Sequence, residues 1–504
     1  MQPVVTPEEM AEADRRTIAT GTSVEVLMDR AGRAVAWQAR ALLGGTYGRR
    51  VVIVCGRGNN GGDGKIAARV LAGWGARVSV FELPGRDGTG PGTAGPGTGA
   101  LDRAALDRAL GRADLLVDAM YGTGFRGALE GDAAHVAEWS ASRPTLAVDI
   151  PSGVDGLTGA AAGPAVRATT TVTFAARKRG LCFEPGRTLA GAVTVADLGI
   201  AVGSPGLDAG DGGVAGLVES ADVAGWLRAA TLPVDQLAND HKWRSALLVV
   251  GGSGGMTGAP SMVSHAAMHA GAGMVWCAVP GVTAAAAASG TEVIAHALPA
   301  TELGALAGID DALRGRLGRF RAAVVGPGLG TATATGAVVH ELVASIDAAL
   351  VLDADGLNAF AGQAATLRAR PAPTVLTPHA AEYERLLGEP VGDDRVAAAR
   401  RLADATGCVA LVKGPGTVVA EPGSSRVVIN PIDGPWLATA GTGDVLSGII
   451  GGLLARGLAP FAAAAAGAFL HGRAADLAGH TGLIAGDLVT TLGPAIAVTL
   501  DQEP

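Results

Sequence analysis

Short apolar runs alternate with amphipathic segments along most of the chain. In the first half, runs of five or six mostly apolar residues predict strands, and helical patterns lie between some of them. Strands that alternate with helices form a parallel sheet, which binds ligands at the carboxyl ends of its strands. The predicted strands are Val51–Cys55, Arg77–Phe81, Asp114–Asp118, Thr145–Ile150 and Thr170–Phe174, and the predicted helices include Lys65–Trp74 and Ala100–Leu110.

The same alternation restarts after a glycine- and aspartate-rich stretch, Gly203–Gly213, which we interpret as a linker. The chain therefore predicts two α/β domains, residues 1–212 and 213–504. A low-complexity insert, Pro84–Gly99, is predicted to be a solvated loop without chemistry. Strands predicted in the second half are Ala246–Val250, Met274–Val279, Ala322–Val325, Ala349–Asp353, Thr374–Thr377 and Cys408–Val412.

Composition and charge exclude several classes of function. The net charge of −8 over 504 residues argues against a general nucleic-acid binder. The four cysteines are scattered without a CxxC pair, so we expect core cysteines rather than a zinc site or disulfides. The start of the chain has no apolar signal segment, and the most apolar tract, Phe461–Leu470, is too short to span a membrane. We therefore expect a cytoplasmic protein without a membrane partner.

The first glycine-rich motif follows the first predicted strand. Gly56-x-Gly58-x-x-Gly61 matches a dinucleotide fingerprint, with Glu82 about 20 residues later. In a chain of 77 glycines this match is weak evidence. The unusual feature is the run Asn59–Gly64 (NNGGDG), which fills the turn with amides and a carboxylate. Such a turn either closes on itself as an Asx-rich turn or holds a ligand by side chain as well as backbone.

Two further carboxylates stand at predicted strand ends. Asp118 is followed by the glycine-rich run Gly122–Gly127, and Asp149 opens the run Asp149–Gly156. A single aspartate at such a position often caps a helix. Because the carboxyl ends of parallel strands meet at one edge of a sheet, however, the asparagine-rich turn and both aspartates are expected to face one cleft.

The motifs GNNGGDG, DAMYGTGFRG and DIPSGVDG, in this order, resemble the YjeF-type N-terminal domain, the NAD(P)H-hydrate epimerase family, over about residues 5–205. The resemblance implies a Rossmann-like three-layer α/β/α sandwich. It also implies a potassium ion near Asn60, Asp118 and Ser152, whose oxygens are hard ligands that suit such an ion. The residues implied to bind the hydrate are Asn59, Asn60, Gly61, Gly62, Asp63, Gly122, Thr123, Gly124, Phe125, Arg126, Gly127, Ala128 and Asp149.

The chemistry of such an epimerase is mild. C6 of the hydrated ring is a hemiaminal carbon, so assisted loss of hydroxide gives a ring iminium to which water returns on either face. We hypothesise that Asp149 protonates the leaving oxygen and later deprotonates water. Where the family commonly has A-P-K-P-G, this chain has Ala176–Gly180 (ARKRG). Lys178 is retained there and belongs either to the catalytic site or to a solvated basic turn.

A different glycine motif stands out in the second half. Gly441-Thr442-Gly443-Asp444 precedes the apolar helical run Val445–Leu454. Backbone N–H groups at such a helix start bind anions, and the aspartate can act as a base beside them. The alternative is a glycine-rich turn in which Asp444 is only the N-cap. The Walker A pattern GxxxxGK[ST] is absent, so this is not a P-loop enzyme.

Supporting motifs follow other predicted strands: Gly251–Pro260, Gly326–Gly330, Asp353–Asn358, Thr377–His379 and Lys413–Thr417. This set resembles the ribokinase-like superfamily and, within it, the YjeF-type C-terminal dehydratase, over about residues 220–500. The residues implied to bind the nucleotide are Lys413, Gly414, Pro415, Gly416, Thr417 and Gly443, and those implied to contact the hydrate are Ala259, Gly328, His379 and Asp444.

The mechanism expected for the second half follows that of a kinase. Asp444 takes the proton from the C6 hydroxyl, which attacks the terminal phosphate of the nucleotide, while Mg²⁺ and the helix start stabilise the phosphoryl group. The resemblance suggests ADP as co-substrate. Asp353 and Asp355 either place Mg²⁺ or serve in strand-end packing and turn capping. His379 either contacts the hydrate or caps the turn after Pro378.

Three rival interpretations stay open at this stage. The second half could be a kinase of a small alcohol. The first half could be a non-catalytic module that senses nucleotides or binds a partner, or its glycine loop could belong to a dehydrogenase. The fusion itself favours repair of NAD(P)H hydrates: an epimerase that interconverts the R and S forms complements an ADP-dependent dehydratase that accepts only the S form. Exposed helices of small residues are compatible with a homo-oligomer.

Overall fold

A computed structural model describes residues 1–84, 101–205, 213–230, 241–288, 292–432 and 434–501. Contacts within the chain divide it into two units, Gln2–Ser204 and Pro205–Pro504 with Met1. Most of the predicted insert Pro84–Gly99 and of the predicted linker Gly203–Gly213 lies outside the described residues. The domain boundary at residues 212 and 213 stays a prediction.

The first unit contains eight strands and six helices in its described part. Its strands are β1 (Gln2–Val5), β2 (Arg50–Cys55), β3 (Arg77–Glu82), β4 (Leu115–Ala119), β5 (Thr145–Val148), β6 (Thr170–Phe174), β7 (Arg177–Lys178) and β8 (Ala192–Ala196). Its helices are α1 (Pro7–Ala19), α2 (Val24–Leu43), α3 (Asn59–Gly73), α4 (Arg103–Leu110), α5 (Gly131–Ser140) and α6 (Gly186–Ala190).

Six of these strands form a fully parallel sheet in the order β3-β2-β4-β5-β6-β8. The central strands β4, β5 and β6 are completely buried, as expected for a sheet with helices on both faces. Separately, β1 pairs in parallel with β7. Helix α1 begins with a capping box in which Thr6 and Glu9 satisfy each other's backbone N–H groups, with Pro7 at the first helical position.

The second unit repeats the α/β alternation with more elements. In its described part the strands are β9 (Ser204–Pro205, at the boundary), β10 (Gly213–Leu217), β11 (Ala246–Val250), β12 (Met274–Pro280), β13 (Ile294–Leu298), β14 (Ala322–Val325), β15 (Ala349–Leu352), β16 (Thr374–Leu376), β17 (Val409–Val412), β18 (Val418–Ala420) and β19 (Val427–Ile429). The helices are α7 (Ser220–Ala229), α8 (Gly258–His269), α9 (Val282–Ala288), α10 (Asp311–Arg314), α11 (Thr333–Ser345), α12 (Asp355–Asn358), α13 (Ala380–Leu387), α14 (Arg395–Thr406), α15 (Thr442–Ala455), α16 (Pro460–Ala478) and α17 (Ala485–Leu500).

The sheet of the second unit runs β13-β12-β11-β14-β15-β16-β17-β18-β19-β10. The pairs from β13 to β17 are parallel, whereas β17, β18 and β19 form an antiparallel meander. One large apolar core joins this sheet to α8, α15 and α16. The predicted α/β class, with a mainly parallel sheet in each half, is confirmed. None of the helices in the described part of the chain combines the length and the apolar character needed to cross a membrane.

Two candidate active sites

A cavity of about 700 Å³ lies at the carboxyl ends of β2, β4, β5 and β6 in the first unit. Predicted hydrate-binding residues on its wall are Asn59, Asn60, Asp63, Gly122, Thr123, Gly124, Phe125 and Asp149. Predicted residues that do not line it are Gly61, Gly62, Arg126, Gly127 and Ala128. The Arg126 side chain instead reaches Asp155 at 3.5 Å. The predicted cleft thus exists, with part of the implied set on its wall.

The asparagine-rich segment is the start of α3 rather than a separate turn, with Gly58 as its N-cap. Asn60 Nδ2 donates to the backbone carbonyls of Tyr121 at 3.0 Å and Val148 at 2.7 Å. Tyr121 follows β4, and Val148 is the last residue of the neighbouring strand β5. A Cβ on Gly61 would collide with the Gly56 carbonyl, so only glycine allows this close approach. Asn60 therefore fixes the helix start against the ends of β4 and β5.

Asp118 is a fully buried carboxylate at the end of β4. Its oxygens accept hydrogen bonds from the Ser152 hydroxyl at 2.7 Å, the Ser152 N–H at 2.8 Å and the Met120 N–H at 3.2 Å. Burial raises the pKa of Asp118 to about 6, although these hydrogen bonds act in the opposite direction. It forms no ion pair with any residue that the structure describes. The site thus contains a buried carboxyl group without a protein countercharge.

Asp149 directly follows β5 and has a left-handed backbone, with φ of 67°. Its Oδ1 lies 2.6 Å from Lys178 Nζ and accepts a hydrogen bond from Thr173 Oγ1 at 3.0 Å. Lys178 is only 1% exposed and also donates to the Phe174 carbonyl at 2.8 Å. The interpretation of Lys178 as part of a solvated basic turn is therefore wrong: the side chain is buried and paired with Asp149.

The cavity wall also includes residues that sequence reasoning missed, on α1 and α2. Among them are Pro7, Met10 and Asp14 from α1 and Leu27 and Met28 from α2. One signal for α1 was present in the sequence. The run TPEE is a capping box with proline at the first helical position, and it predicts a helix start at this point.

In the second unit, Asp444 lies in the first turn of α15. This helix begins at Thr442, and its N-cap is Gly441 with φ of 89°, a conformation that favours glycine. The alternative in which Asp444 is the N-cap is therefore wrong. Burial, together with the negative charge of Asp353, raises the pKa of Asp444 to about 7, although Lys413 acts against this. Asp444 is thus poised to accept a proton near neutral pH.

Lys413, which is partly exposed, and the buried Asp353 form an ion pair beside this helix start. Lys413 Nζ lies 2.8 Å from Asp353 Oδ1, and Ser447 Oγ donates to Asp353 Oδ2 at 2.6 Å. Burial alone would lower the pKa of Lys413, but the charges of Asp353 and Glu382 outweigh it and raise that pKa. A Cβ on Gly443 would lie 3.5 Å from Lys413 Nζ. The predicted nucleotide residues Lys413 and Gly443 are therefore neighbours.

The rest of the predicted nucleotide set lies on the turn between β17 and β18. Gly414 and Gly416 both have positive φ, and Thr417 Oγ1 donates to the Gly414 carbonyl at 3.2 Å. Pro415 lies between the two glycines. Arg395 of α14 donates to the carbonyls of Lys413 and Gly416. This turn is therefore held from behind by an arginine.

His379 caps α13 with its side chain. Its Nδ1 accepts the N–H of Ala381 at 3.1 Å, and Glu382 Oε2 accepts the N–H of His379 at 2.8 Å. The capping function proposed for His379 is thereby confirmed, while half of its ring stays exposed to solvent. Contact between His379 and a hydrate stays a prediction.

Both oxygens of Asp355 accept hydrogen bonds from the protein: Oδ1 accepts from Asn358 Nδ2 of its own helix at 3.0 Å, and Oδ2 accepts the N–H of Gly330, in the loop after β14, at 2.8 Å. Among the hydrate residues, Ala259 and Gly328 adjoin, since a Cβ on Gly328 would lie 3.2 Å from the Ala259 Cβ. Gly328 lies just after β14, and Ala259 lies at the start of α8, which follows β11; these two strands are parallel neighbours in the sheet.

His471 is a supporting residue that the sequence did not reveal. It is buried on α16, and its Nε2 lies 2.9 Å from the Thr442 carbonyl at the start of α15. Burial lowers the pKa of His471 to about 4, so the ring is neutral at physiological pH. Its position in an apolar, alanine-rich helix gave no sequence signal of this contact.

Two α/β units, each with buried carboxyl groups and a glycine-rich helix start at the carboxyl ends of its strands, define a two-site enzyme of the nucleotide-binding α/β class. Comparison with known proteins is more specific. The family model described as YjeF-related protein N-terminus matches residues 24–180, and the model described as NAD(P)H-hydrate dehydratase matches residues 247–497.

Curated relatives match almost the whole chain. A bifunctional NAD(P)H-hydrate repair enzyme from Moorella thermoacetica is 41% identical, covering 99% of this chain and 97% of its own length. A protein of the same name from Salinibacter ruber is 39% identical over 98% of this chain and 96% of its own. The chain belongs to the family of bifunctional NAD(P)H-hydrate repair enzymes. This membership removes the dehydrogenase and small-alcohol kinase alternatives.

Among solved structures, the ADP/ATP-dependent NAD(P)H-hydrate dehydratase from Bacillus subtilis, co-crystallised with ATP and Mg²⁺, is 25% identical. The match covers 56% of this chain and 98% of that chain, with a TM-score of 0.45.

Proposed function

We propose that the chain repairs hydrated nicotinamide cofactors at two separate sites. The first unit interconverts the R and S forms of NAD(P)H hydrate, and the second dehydrates the S form at the expense of ADP. The observation that carries this proposal is that one chain holds both sites, each with a buried carboxyl group at the carboxyl ends of its strands. Family membership over nearly the full length supports it.

In the first unit, the hydrated ring enters the cavity and loses hydroxide from C6. Asp149 then takes a proton from the water that attacks the iminium. Lys178 and Thr173 both donate to Asp149 Oδ1, so they hold the side chain as an oriented proton acceptor. Asp149 Oδ2 accepts no hydrogen bond from the described residues, which leaves this oxygen for the incoming water. Lys178 is therefore a positioning residue in this mechanism.

The donor set around Asp118 fits a potassium ion. Asp118 is buried without a protein countercharge, and the side-chain oxygens of Asn60 and Ser152 are hard ligands. A Cβ on Gly122 would lie 2.7 Å from Asn60 Oδ1, so glycine keeps the space beside this oxygen open. Asn60, Asp118 and Ser152 would hold the ion, which would supply the missing positive charge and stabilise the loops that follow β4 and β5.

In the second unit, ADP binds on the turn Lys413–Thr417 and on Gly443, where backbone N–H groups of the helix start face the phosphates. Asp444 takes the proton of the C6 hydroxyl of the hydrate, and the oxygen attacks the β-phosphate, releasing AMP. Phosphate then leaves C6, a proton leaves C5, and the C5–C6 double bond of the dihydronicotinamide is restored. Ala259, Gly328 and His379 are proposed to contact the hydrate.

Mg²⁺ would neutralise charge on the transferring phosphoryl group. Asp353 and Asp355 already use both their oxygens in protein contacts, which favours strand-end and turn roles for them. In the part of the chain that the structure describes, no group of three or more His, Cys, Asp or Glu residues is suited to a metal. We therefore propose that the nucleotide phosphates hold most of the Mg²⁺ coordination, as is usual for this ion.

Recovery of NADH absorbance from a mixed R and S hydrate, with ADP and Mg²⁺, tests the whole function. We expect full recovery with the unaltered enzyme, a plateau near half with Asp149→Asn, and no recovery with Asp444→Asn. Any slow further rise after the half plateau of Asp149→Asn measures spontaneous epimerisation. Absence of recovery with either ADP or ATP contradicts the dehydratase assignment, whereas a half plateau with the unaltered enzyme contradicts the epimerase assignment alone.

A further inference from the structure

Asp63 differs from the other two buried carboxyl groups of the first site, Asp118 and Asp149. It lies on α3, is only 5% exposed and lines the cavity. Asp118 accepts three hydrogen bonds and Asp149 is paired with Lys178, whereas Asp63 has neither a hydrogen bond nor an ion pair with any described residue. An unpartnered buried carboxyl group is costly, so its presence at a cavity wall indicates a ligand partner.

The surroundings of Asp63 supply no compensating cation. The charged residues of the cavity wall are Asp14 on α1, Arg57 before α3, Asp149 after β5 and Lys178 on β7. Lys178 is committed to Asp149, and Arg57 forms no ion pair with Asp63. Helix α2, which packs against α3, contributes only apolar side chains to this wall.

We propose that Asp63 is the general acid of the epimerisation, which protonates the hydroxyl as it leaves C6, while Asp149 is the base on the other side of the ring. This inference rests on the proposed epimerase function and deepens it. The helix that carries Asp63 follows β2, and Asp149 follows β5. Two strand spacings of about 4.8 Å separate β2 from β5, so the ends of these two strands lie about 10 Å apart. Asp63 lies one turn into α3, and its side chain and that of Asp149 line the same cavity.

The step balances without any further reactant. The ring nitrogen lone pair expels the C6 oxygen, and Asp63 gives its proton to that oxygen, so water leaves. A second water bonds to C6 from the other face and gives its proton to Asp149. The reverse reaction uses the protonated Asp149 as acid and the ionised Asp63 as base, and solvent in the cavity returns the proton between turnovers. Two carboxyl groups on either side of a reacting carbon also invert glycosidic centres.

The electrostatics of the cavity agree with this role. Burial, and then the negative charge of Asp149, raise the pKa of Asp63 to about 8. The carboxyl group is therefore protonated at neutral pH and able to donate. Above about pH 8 it ionises, so the forward reaction is expected to slow there. Burial and the charge of Asp149 also raise the pKa of Asp14, although Lys178 acts against this, and Asp14 is therefore the matched control for the same cavity.

The test measures interconversion of one purified epimer without ADP, by chromatographic separation of the R and S forms, between pH 6 and 9.5. For Asp63→Asn we expect kcat to fall about 100-fold or more while KM changes less than about threefold, because the amide fills the same space but cannot release a proton. The unaltered enzyme should lose rate above about pH 8, and the residual rate of Asp63→Asn should not. Asp14→Asn should keep this alkaline decline.

Several results would overturn the inference. If Asp63→Asn raises KM but leaves kcat unchanged, Asp63 is a binding residue only. If the rate of the unaltered enzyme does not fall above about pH 8, Asp63 is not the general acid. Asp63→Glu retains a carboxyl group and should therefore keep part of the rate and the loss of rate at alkaline pH. If circular dichroism shows that Asp63→Asn does not fold, Asp63→Glu tests the inference in its place. An unaltered enzyme that does not interconvert the epimers at all contradicts the proposed function itself, which is a different failure.

Discussion

The two units use the same pair of residue types in different ways. In the first, Lys178 lies 2.6 Å from Asp149, and in the second, Lys413 lies 2.8 Å from Asp353. Both lysines are buried or nearly so, and both aspartates follow a parallel strand. The difference lies in the second carboxylate oxygen. Ser447 donates a hydrogen bond to Oδ2 of Asp353, whereas no described residue donates to Oδ2 of Asp149.

This difference shows how to separate a structural carboxylate from a reactive one. Donors on both oxygens of an aspartate stabilise its ionised form and lower its pKa, as they do for Asp353, so such an aspartate is a weaker proton acceptor than one with an oxygen free of protein donors. We therefore interpret the ion pair of the second unit as structural support, and Asp444, which has no hydrogen bond or ion pair with any described residue, is the proposed proton acceptor beside it. In the first unit the paired aspartate keeps one oxygen available and lines the cavity.

The largest expected effect comes from breaking the ion pair of the second unit. Lys413→Met leaves Asp353, which is 1% exposed, without a cation, and loss of one partner of a buried pair costs about 3–5 kcal/mol. Denaturant unfolding of the second unit should show this loss, and adding Asp353→Asn should recover part of it. The control is Arg314→Met, because Arg314 and Glu341 form an exposed ion pair in the same unit that is worth at most about 1 kcal/mol. Equal losses in the two single variants would contradict the comparison.

Breaking the pair of the first unit should affect catalysis more than stability. Lys178→Met leaves Asp149 beside a cavity that water enters, so we expect a loss of about 1–3 kcal/mol in the free energy of unfolding. The epimerisation kcat should fall about 100-fold because the base loses its orientation. Chromatographic separation of the epimers measures the rate. If Lys178→Met destabilises its unit as strongly as Lys413→Met, the distinction between the two pairs fails.

The pH dependence of the two activities should run in opposite directions. Asp444 has a pKa raised to about 7 and must be ionised to accept a proton, so dehydration should weaken as pH falls through about 7. For a single group with that pKa, kcat/KM rises about tenfold from pH 6 to pH 8. Stopped-flow measurement of NADH formation from the S hydrate checks this. A flat profile over this range would count against Asp444 as the base.

The smallest expected effect concerns one hydrogen bond. Thr173→Val removes the hydroxyl that donates to Asp149 Oδ1 at 3.0 Å, while Lys178 remains. A loss of about 1 kcal/mol corresponds to a rate about fivefold lower. The control on the same strand is Thr171→Val, whose hydroxyl donates to the Ala190 carbonyl instead. It should lower stability but leave the epimerisation rate unchanged. Equal rates for both variants would exclude a positioning role for Thr173.

Sequence patterns predicted the buried strands well because these strands are continuous apolar runs. Thr170–Phe174, Ala246–Val250 and Ala322–Val325 have the predicted bounds. The predicted strand Thr145–Ile150 instead ends at Val148, since Asp149 adopts a left-handed backbone that stops the ladder. The three-residue strands β18 and β19 escaped prediction, whereas β16, which is equally short, lies within the predicted run Thr374–Thr377.

The sites were predicted only as far as motif order and parallel topology allow. These features place Asn60, Asp118 and Asp149 at one sheet edge, as observed. From the sequence, the glycine-rich start of α3 is interpreted as a turn, because glycine disfavours helix formation. It is nevertheless helical, and close packing against the Gly56 carbonyl requires glycine at Gly61. The burial of Lys178 depends on long-range packing between β7 and the end of β5, which no local pattern contains.

Left-handed backbone occurs at three non-glycine residues in the described part of the chain: Asp149, Ala175 and Ala354. Asp149 is itself a carboxylate of the first site, Ala354 lies between Asp353 and Asp355, and Ala175 lies three residues before Lys178. Each such conformation costs about 1–3 kcal/mol. For protein engineering, the three positions differ in what relief of this backbone strain would cost. Glycine at Ala354 would relieve the strained backbone and remove only a methyl group. At Asp149 the same exchange would relax the backbone, but it would delete the proposed base and leave the buried Lys178 without its partner, so the strained backbone at this position is tied to both activity and stability.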